Sequence, residues 1–326
     1  MTTLPLFWHL SSVSKKERLD ASVKLVSSLE QFQAKFVPKE PPSTSTSDSD
    51  AEPNDDAPTH KVDLLDALNA QDVSYSIRRL IRGLSSPRES SRLGFAVALT
   101  EVSHKKKLKY HLHSHIAQLL SRINTVTCAQ IANLILDGTK IQGSMTGQEE
   151  RDMLFARLFG FTSVIQSGLL VRTGALATSP SAAPQISSLS SFEQVVKELF
   201  ALGEKKSWLR ESSWWAIGLA LNTMHDSEAA WKAKAVDFLL QHLFVDYQAW
   251  SPEKVALTLA LQDKFPSRDW SKYLSPPFKN PSLLHINNLQ SLAPILKVWD
   301  SICMQSSLLT IVTGLQYLRG RRERSG

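Results

Sequence analysis

Residues 75–101 read YSIRRLIRGLSSPRESSRLGFAVALTE. Ile77, Leu80, Ile81 and Leu84 fall at i, i+3, i+4 and i+7, the spacing that lines apolar side chains along one face of an α-helix. Arg78 and Arg82 are four apart and share a face turned away from that stripe, with Arg79 beside them. Gly83 marks the expected helix end. Ser86-Pro87-Arg88-Glu89 then opens a second helix: Ser86 caps it, Pro87 suits the first helical position, and Glu89 completes a capping box. This second helix is expected to run to Val102. Leu93, Phe95, Val97 and Leu99 make it apolar nearly all round, and Gly94, Ala96 and Ala98 let a neighbour approach closely. The stretch therefore predicts a basic outer helix paired with a buried inner one.

The same rhythm extends in both directions. Upstream, Ser14-Lys-Lys-Glu17 reads as a capping box, followed by Leu19, Val23 and Val26, and by Leu25, Leu29, Phe32 and Phe36, at helical spacing. Phe7, Trp8 and Leu10 precede it as candidates to pack on its face, and the helix should stop before Pro38. Downstream, Leu112, Ile116, Leu119, Leu120 and Ile123 mark another helix. Thr127 caps the next, which Ile131, Leu134 and Ile135 carry to Gly138. Further helices are predicted over 148–166, 191–202, 207–223, 228–246, 252–264, 287–297 and 301–319, with loops at 138–147, 178–190 and 275–282. No convincing strand is visible. Successive helix pairs of roughly 40 residues predict an all-α fold of HEAT- or armadillo-like helical repeats, a solenoid in which each pair is buried against its neighbours. The repeat is not visible as self-similar sequence, so an irregular helical bundle stays open.

Composition narrows the function classes. The chain has 326 residues, 42% apolar, with only 13 Gly, enough for a sizeable core and poor in the glycine that sandwiches and barrels use. Its two cysteines, Cys128 and Cys303, sit in apolar patterns and support neither a disulfide framework nor a zinc site. MTTLPLFWHLSS has no positive n-region, so no secretory signal is expected. No apolar run approaches the roughly 20 residues that span a bilayer. A soluble intracellular protein without membrane partners is expected.

Charge is unevenly spread. The formal net charge is +6, yet residues 38–60 (PKEPPSTSTSDSDAEPNDDAPTH) carry one Lys and six acids, a net of −5, which leaves +11 on the rest. That segment has no apolar residue able to anchor a core and reads as a disordered acidic linker. Ser47 and Ser49 each have an acid three residues on, Asp50 and Glu52, the arrangement acid-directed kinases use, and are the phosphorylation candidates. From Tyr75 to Tyr110 the balance reverses. Arg78, Arg79, Arg82, Arg88, Arg92, Lys105, Lys106, Lys107 and Lys109 face only Glu89 and Glu101, a net of +7. Cations clustered on consecutive helices neutralise phosphates and bind nucleic acid without reading its sequence. The plainer alternative is that they are the solvated faces every surface helix presents.

Motifs for catalysis or cofactors are weak. Gly138-Thr-Lys-Ile-Gln-Gly143 has the glycine spacing of a phosphate-binding loop, but Ser144-Met145 stands where Lys-Ser/Thr is required. His111 and His115 are four apart, but no third ligand is near and four lysines adjoin them. The sole Asp-x-Asp, Asp48 and Asp50, falls in the linker, where it cannot hold two metals rigidly. No catalytic residue, metal site or cofactor is assigned. Trp208, Trp214 and Trp215 lie near Lys205, Lys206 and Arg210; interleaved aromatics and cations can stack on unpaired bases. Trp208, Trp215 and Leu219 instead form a stripe at helical spacing, which predicts core packing.

Several of these stretches carry a family likeness. IRRLIRGLSSPRESSRLGFAVALTE (77–101) and GSMTGQEERDMLFARLFGFTSVIQSGLL (143–170) resemble the DNA polymerase phi family, also called fungal DNA polymerase V and related to the animal Myb-binding protein 1A. KKSWLRESSWWAI (205–217), SPEKVALTLALQ (251–262) and LQSLAPILK (289–297) follow in the same order. The likeness covers residues 4 to 297 and fades from Val298. It implies a nuclear, nucleolar protein of ribosome biogenesis with an α-helical repeat body. Its implied partners are ribosomal DNA or RNA and transcription or ribosome-assembly proteins. Family chains are longer, with an acidic region and a basic tail, so this chain is expected to be a fragment or an alternative form.

The expected organisation is an N-terminal helix (1–37), the acidic linker (38–60), a helical-repeat domain (61–297) and a divergent C-terminal helix with a basic end (298–326). Three functions compete: a scaffold that binds nucleic acid and regulates ribosomal RNA gene transcription, a DNA-directed DNA polymerase as the family name suggests, and a pure protein-interaction scaffold. The polymerase needs a rigid carboxylate pair, and no catalytic carboxylate motif is present.

Overall fold

Side-chain caps decide where the helices begin. In this computed structural model, which describes residues 3–37, 64–86, 120, 123, 125–176, 185–246, 249–275 and 277–300, Ser14, Thr127, Thr146, Ser188 and Ser251 each accept a backbone N–H of the first helical turn. Thr127 with Gln130 and Thr146 with Glu149 close full capping boxes. The Thr146 backbone and hydroxyl donors hold the Glu149 carboxyl below its usual range. The box expected at Ser14 is rearranged. Ser14 accepts from the Glu17 N–H, but the Glu17 carboxylate takes the Ser12 hydroxyl, and Ser12 also receives the Ser14 N–H.

The described residues are helical and contain no strand beyond one antiparallel bridge, Ala175 to Gln185. The all-α expectation holds. The helices are α1 (Leu4–Leu10), α2 (Lys15–Lys35), α3 (Leu64–Leu68), α4 (Gln71–Leu84), α5 (Cys128–Gly138), α6 (Gly147–Gln166), α7 (Leu189–Lys205) and α8 (Ser207–Asp226). They continue with α9 (Lys232–Gln241), α10 (Pro252–Lys264), α11 (Ser271–Leu274) and α12 (Leu289–Asp300). A π-helical turn, His242–Asp246, extends α9, and a 3₁₀ turn, Ile286–Asn288, leads into α12. The second helix of the 75–101 stretch, the His111/His115 segment and the 301–319 helix lie outside the described residues.

The chain divides into two units, Met1–Ala235 and Val236–Gly326. In the first, the predicted stripe of α4 is inside: Ile77, Leu80, Ile81 and Leu84 are all buried. Helix α4 packs on α2, α3, α5 and α6. Helices α5 and α6 form one contacting pair and α7 and α8 another, with α5 against α7 and α6 against α8. Close approach is built in at two glycines. A Cβ on Gly160 would lie 3.0–3.1 Å from three atoms of Ile135 on α5, and one on Gly203 would lie 3.2 Å from the Trp214 ring. Gly168 ends α6 in the left-handed conformation at φ 73°, a position that favours glycine because a Cβ there is strained. Its N–H donates to the Ile165 carbonyl. A single extended residue, Lys206, joins α7 to α8.

The tryptophan expectation is reversed in phase. Trp214 is the core residue, 4% exposed and edge-on to Phe200 at 5.2 Å. Trp208 and Trp215 are 41% and 47% exposed. The buried stripe of α8 is Leu209, Ser213, Trp214, Ala216, Ile217, Ala220, Leu221 and Met224. That stripe satisfies the period of 3.6 with a longer apolar set than Trp208, Trp215 and Leu219 offer.

In the second unit, Phe244, Trp250, Tyr273 and Phe278 make an aromatic cluster with centroid separations from 4.7 to 6.0 Å. The 275–282 loop is pinned by two amides. Asn288 Nδ2 donates to the carbonyls of Asn280 and Ser282 at 2.9 and 2.8 Å, and its Oδ1 accepts the Asn280 N–H. Gln262 donates to the Pro281 carbonyl and accepts from the Leu283 N–H.

Candidate nucleic-acid interface

The apolar stripe of α4 faces the core, so the residues between its teeth face outward. Arg78, Arg79 and Arg82 come out on the same side, along a groove of about 780 Å³ that Phe36, Asp66, Ala67, Asn69, Gln71 and Tyr75 also line. Sequence spacing alone brings the three arginines together. It does not reveal what each one holds.

Arg78 forks onto Asp66 of α3, Nη1 to Oδ1 at 2.8 Å and Nη2 to Oδ2 at 2.9 Å. This bidentate geometry is the strong form of the pair, and the guanidinium holds the Asp66 carboxyl below the usual carboxylate range. The pair is electrically neutral as a unit, which removes one arginine from the free positive charge. Arg79 donates to the Tyr75 hydroxyl at 2.5 Å. Its guanidinium carbon lies 4.8 Å from the Phe7 ring centroid and 5.8 Å from that of Tyr75, and the two rings meet edge to face at 6.4 Å. The rings fix the cation without cancelling its charge. Arg82 is exposed, in the last turn of α4, where a cation also complements the helix dipole. The groove can therefore offer an oriented guanidinium at Arg79, an exposed one at Arg82 and a half-exposed aromatic face at Tyr75. Those are the elements of phosphate neutralisation and base stacking.

Arg88, Arg92, Lys105, Lys106, Lys107 and Lys109, and the phosphorylation candidates Ser47 and Ser49, lie outside the described residues. Sequence reading missed Asp66 as the partner of Arg78. The two are twelve apart across the Asn69-Ala70 junction, beyond any helical offset, so no local rule links them.

A second cation was also missed. Lys254 is 1% exposed, with its Nζ 5.0 Å from the Phe244 centroid and 4.7 Å from that of Trp250. Burial pushes its amine down to about 8. It sits in the first turn of α10, where its N–H donates to Ser251 Oγ. The one local signal was a lysine where a capping box would have Glu. Burial pushes the Cys128 thiol up to about 12, which makes it a core residue rather than a nucleophile. Among the described residues no group of three or more His, Cys, Asp or Glu side chains could hold a metal ion, and no helix is long and apolar enough to cross a membrane.

The family model described as DNA polymerase phi matches residues 75–306. The match starts with the stretch that decided the fold and runs past Val298, where the sequence pattern had suggested divergence. The chain is 32% identical over 241 residues to the rDNA transcriptional regulator pol5 of Schizosaccharomyces pombe, an alignment covering 73% of this chain and 22% of that protein. It is 28% identical over 218 residues to the rDNA transcriptional regulator POL5 of Saccharomyces cerevisiae, covering 65% of this chain and 17% of that protein. The chain thus spans about a fifth of the length of the curated relatives it matches. No solved structure matches it significantly.

Proposed function

The chain belongs to the DNA polymerase phi family, and on that premise we propose that it is a helical-repeat module binding ribosomal DNA or RNA in the nucleus, where it regulates ribosomal RNA gene transcription. The observation that carries the reading is the groove beside α4, with Arg79 held on two rings and Arg82 exposed next to it. Both fungal relatives are named rDNA transcriptional regulators, which supports the transcriptional half of the reading.

In this reading residues 61–297 are HEAT- or armadillo-like repeats, 38–60 an acidic linker and 298–326 a C-terminal helix with a basic end. The stacking of the α5–α6 pair on the α7–α8 pair, first helix on first and second on second, supports the repeat architecture. Arg88, Arg92, Lys105, Lys106, Lys107 and Lys109 are further nucleic-acid-binding residues in this reading. Ser47 and Ser49 are phosphorylated in the linker. The protein acts in the nucleolus, in ribosome biogenesis, beside transcription or assembly proteins.

Binding of the full chain to a ribosomal-gene duplex and to ribosomal RNA, followed by fluorescence anisotropy across a salt series, tests this. Arg82→Glu should weaken both roughly tenfold and lower the salt slope by about 1, with the unfolding midpoint unchanged. Equal affinity of Arg82→Glu and wild type at moderate salt refutes the groove. Partners that stay bound after nuclease treatment, with no nucleic-acid affinity in either protein, would point to a pure protein scaffold.

A further inference from the structure

The outward row of α4 changes character along its length. Gln71, Tyr75, Arg79 and Arg82 are spaced 4, 4, 3, so they follow one another on the side of the helix away from the buried stripe. All four line the same groove. The first two are neutral and the last two are cations, while Arg78 beside them is already answered by Asp66. Positive charge in the row is therefore confined to its C-terminal half. In the other half, Tyr75 is 41% exposed. Its ring is held in place: the hydroxyl accepts from Arg79, and Phe7 meets the ring edge to face. A ring both held and exposed is a stacking surface whose ordering cost falls on folding and not on binding.

That order, a ring followed by cations, matches the order of a base and its backbone. Tyr75 to Arg82 covers about 10 Å of helix axis, enough for a base and the phosphates on either side of it. The groove, about 780 Å³, has room for an unstacked base. A duplex cannot use it in this way. Its bases are paired and stacked inside the double helix, and presenting one face to a side chain costs flipping that base out. A duplex meets only the guanidiniums, through its phosphate row. We infer that the groove beside α4 selects unpaired nucleic acid, with a base stacked on Tyr75 and backbone phosphates on Arg79 and Arg82. The exposed amide of Gln71 lies at the neutral end, where it can both donate to and accept from a base edge. Every base has a face to stack and an edge that such an amide can meet, so binding is tolerant of sequence. The inference rests on the nucleic-acid reading of this groove and narrows it: a duplex binds by charge alone, an unpaired strand by charge and stacking.

Fluorescence anisotropy of the full chain at moderate salt tests it. The probes are a labelled single strand in ribose and in deoxyribose form, the matching DNA duplex, and an abasic strand of equal length, which keeps the phosphates and lacks the bases. The single strands should bind about tenfold more tightly than the abasic strand, the worth of one stacked base, and more tightly than the duplex. A tighter ribose form identifies a transcript as the source of the strand, and a tighter deoxyribose form an opened duplex. Tyr75→Leu should bring the single strand down to the abasic one, and Tyr75→Phe, which keeps the ring, should hold the difference. A strand carrying 5-iodouracil should photocrosslink to Tyr75 in the unaltered protein, a readout that needs no variant to fold. Abasic or duplex binding equal to that of the single strand overturns the inference, as does a difference that survives Tyr75→Leu. If Arg82→Glu then still weakens every probe alike, the groove remains a phosphate site and only the stacking falls. If it weakens none, the nucleic-acid reading falls as well.

Discussion

Replacing Lys254 by Met should stabilise the protein near neutral pH and lose that advantage in alkali. Met keeps an unbranched apolar stem and removes the ammonium. In the folded chain that amine lies over the Phe244 and Trp250 rings and titrates at about 8, against an ordinary 10.5. Each tenfold change in an acid dissociation constant is worth about 1.4 kcal/mol, so the charged form costs on the order of 3 kcal/mol at pH 7. The folded value is the lower one. Between 8 and 10.5 the unfolded chain therefore binds more protons, and stability rises with pH through that window. Below pH 8 the full penalty is present, and above 10.5 it is gone. The gap in unfolding free energy between variant and wild type should shrink by about 2 kcal/mol from pH 7 to pH 10. Guanidinium unfolding of both proteins at pH 7, 8, 9 and 10 measures it, and tyrosine titration, common to both, cancels. A gap that stays constant across the series refutes the claim that Lys254 is held as a desolvated cation.

Other substitutions probe the packing. Trp214→Ala should destabilise by about 3–5 kcal/mol and Trp208→Ala by less than about 1, read as denaturant midpoints; comparable losses would mean the face assigned to α8 is wrong. Gly160→Ala, which drives a Cβ to within 3.0–3.1 Å of Ile135, should cost about 1–3 kcal/mol despite better helix propensity, again by chemical unfolding. Asn288→Ala removes three bonds that close the 275–282 loop. It should cost about 2–3 kcal/mol and open that loop to limited proteolysis before the helices are cut.

The parts of this fold that were legible in sequence are the ones governed by neighbours a few residues away. The cap at Thr127, the helix over 252–264 and the 77-80-81-84 stripe are local patterns, and each appears where the spacing put it. Phase was harder. On α8 two apolar readings compete, and the longer one, with Trp214 seated beside Gly203, is the buried one. The candidate site divides in the same way. Three arginines on one side of α4 follow from the period of the helix. That Arg78 is neutralised by Asp66, that Arg79 rests on Phe7, and that Lys254 is boxed by rings brought from a π-helical turn and a loop are facts of the tertiary arrangement. No window of sequence contains them.

Lys206 has a consequence for which changes of length the chain can accept. One extended residue separates α7 from α8, and the Phe200 to Trp214 contact spans that joint. Adding a single residue to α8 ahead of Trp214 would turn every later side chain about 100° around the axis. Trp214 would leave Gly203, and the residue before it in sequence would take its place. Insertions and deletions there change register as well as length. Between relatives, this joint should keep its residue count even where its residues differ.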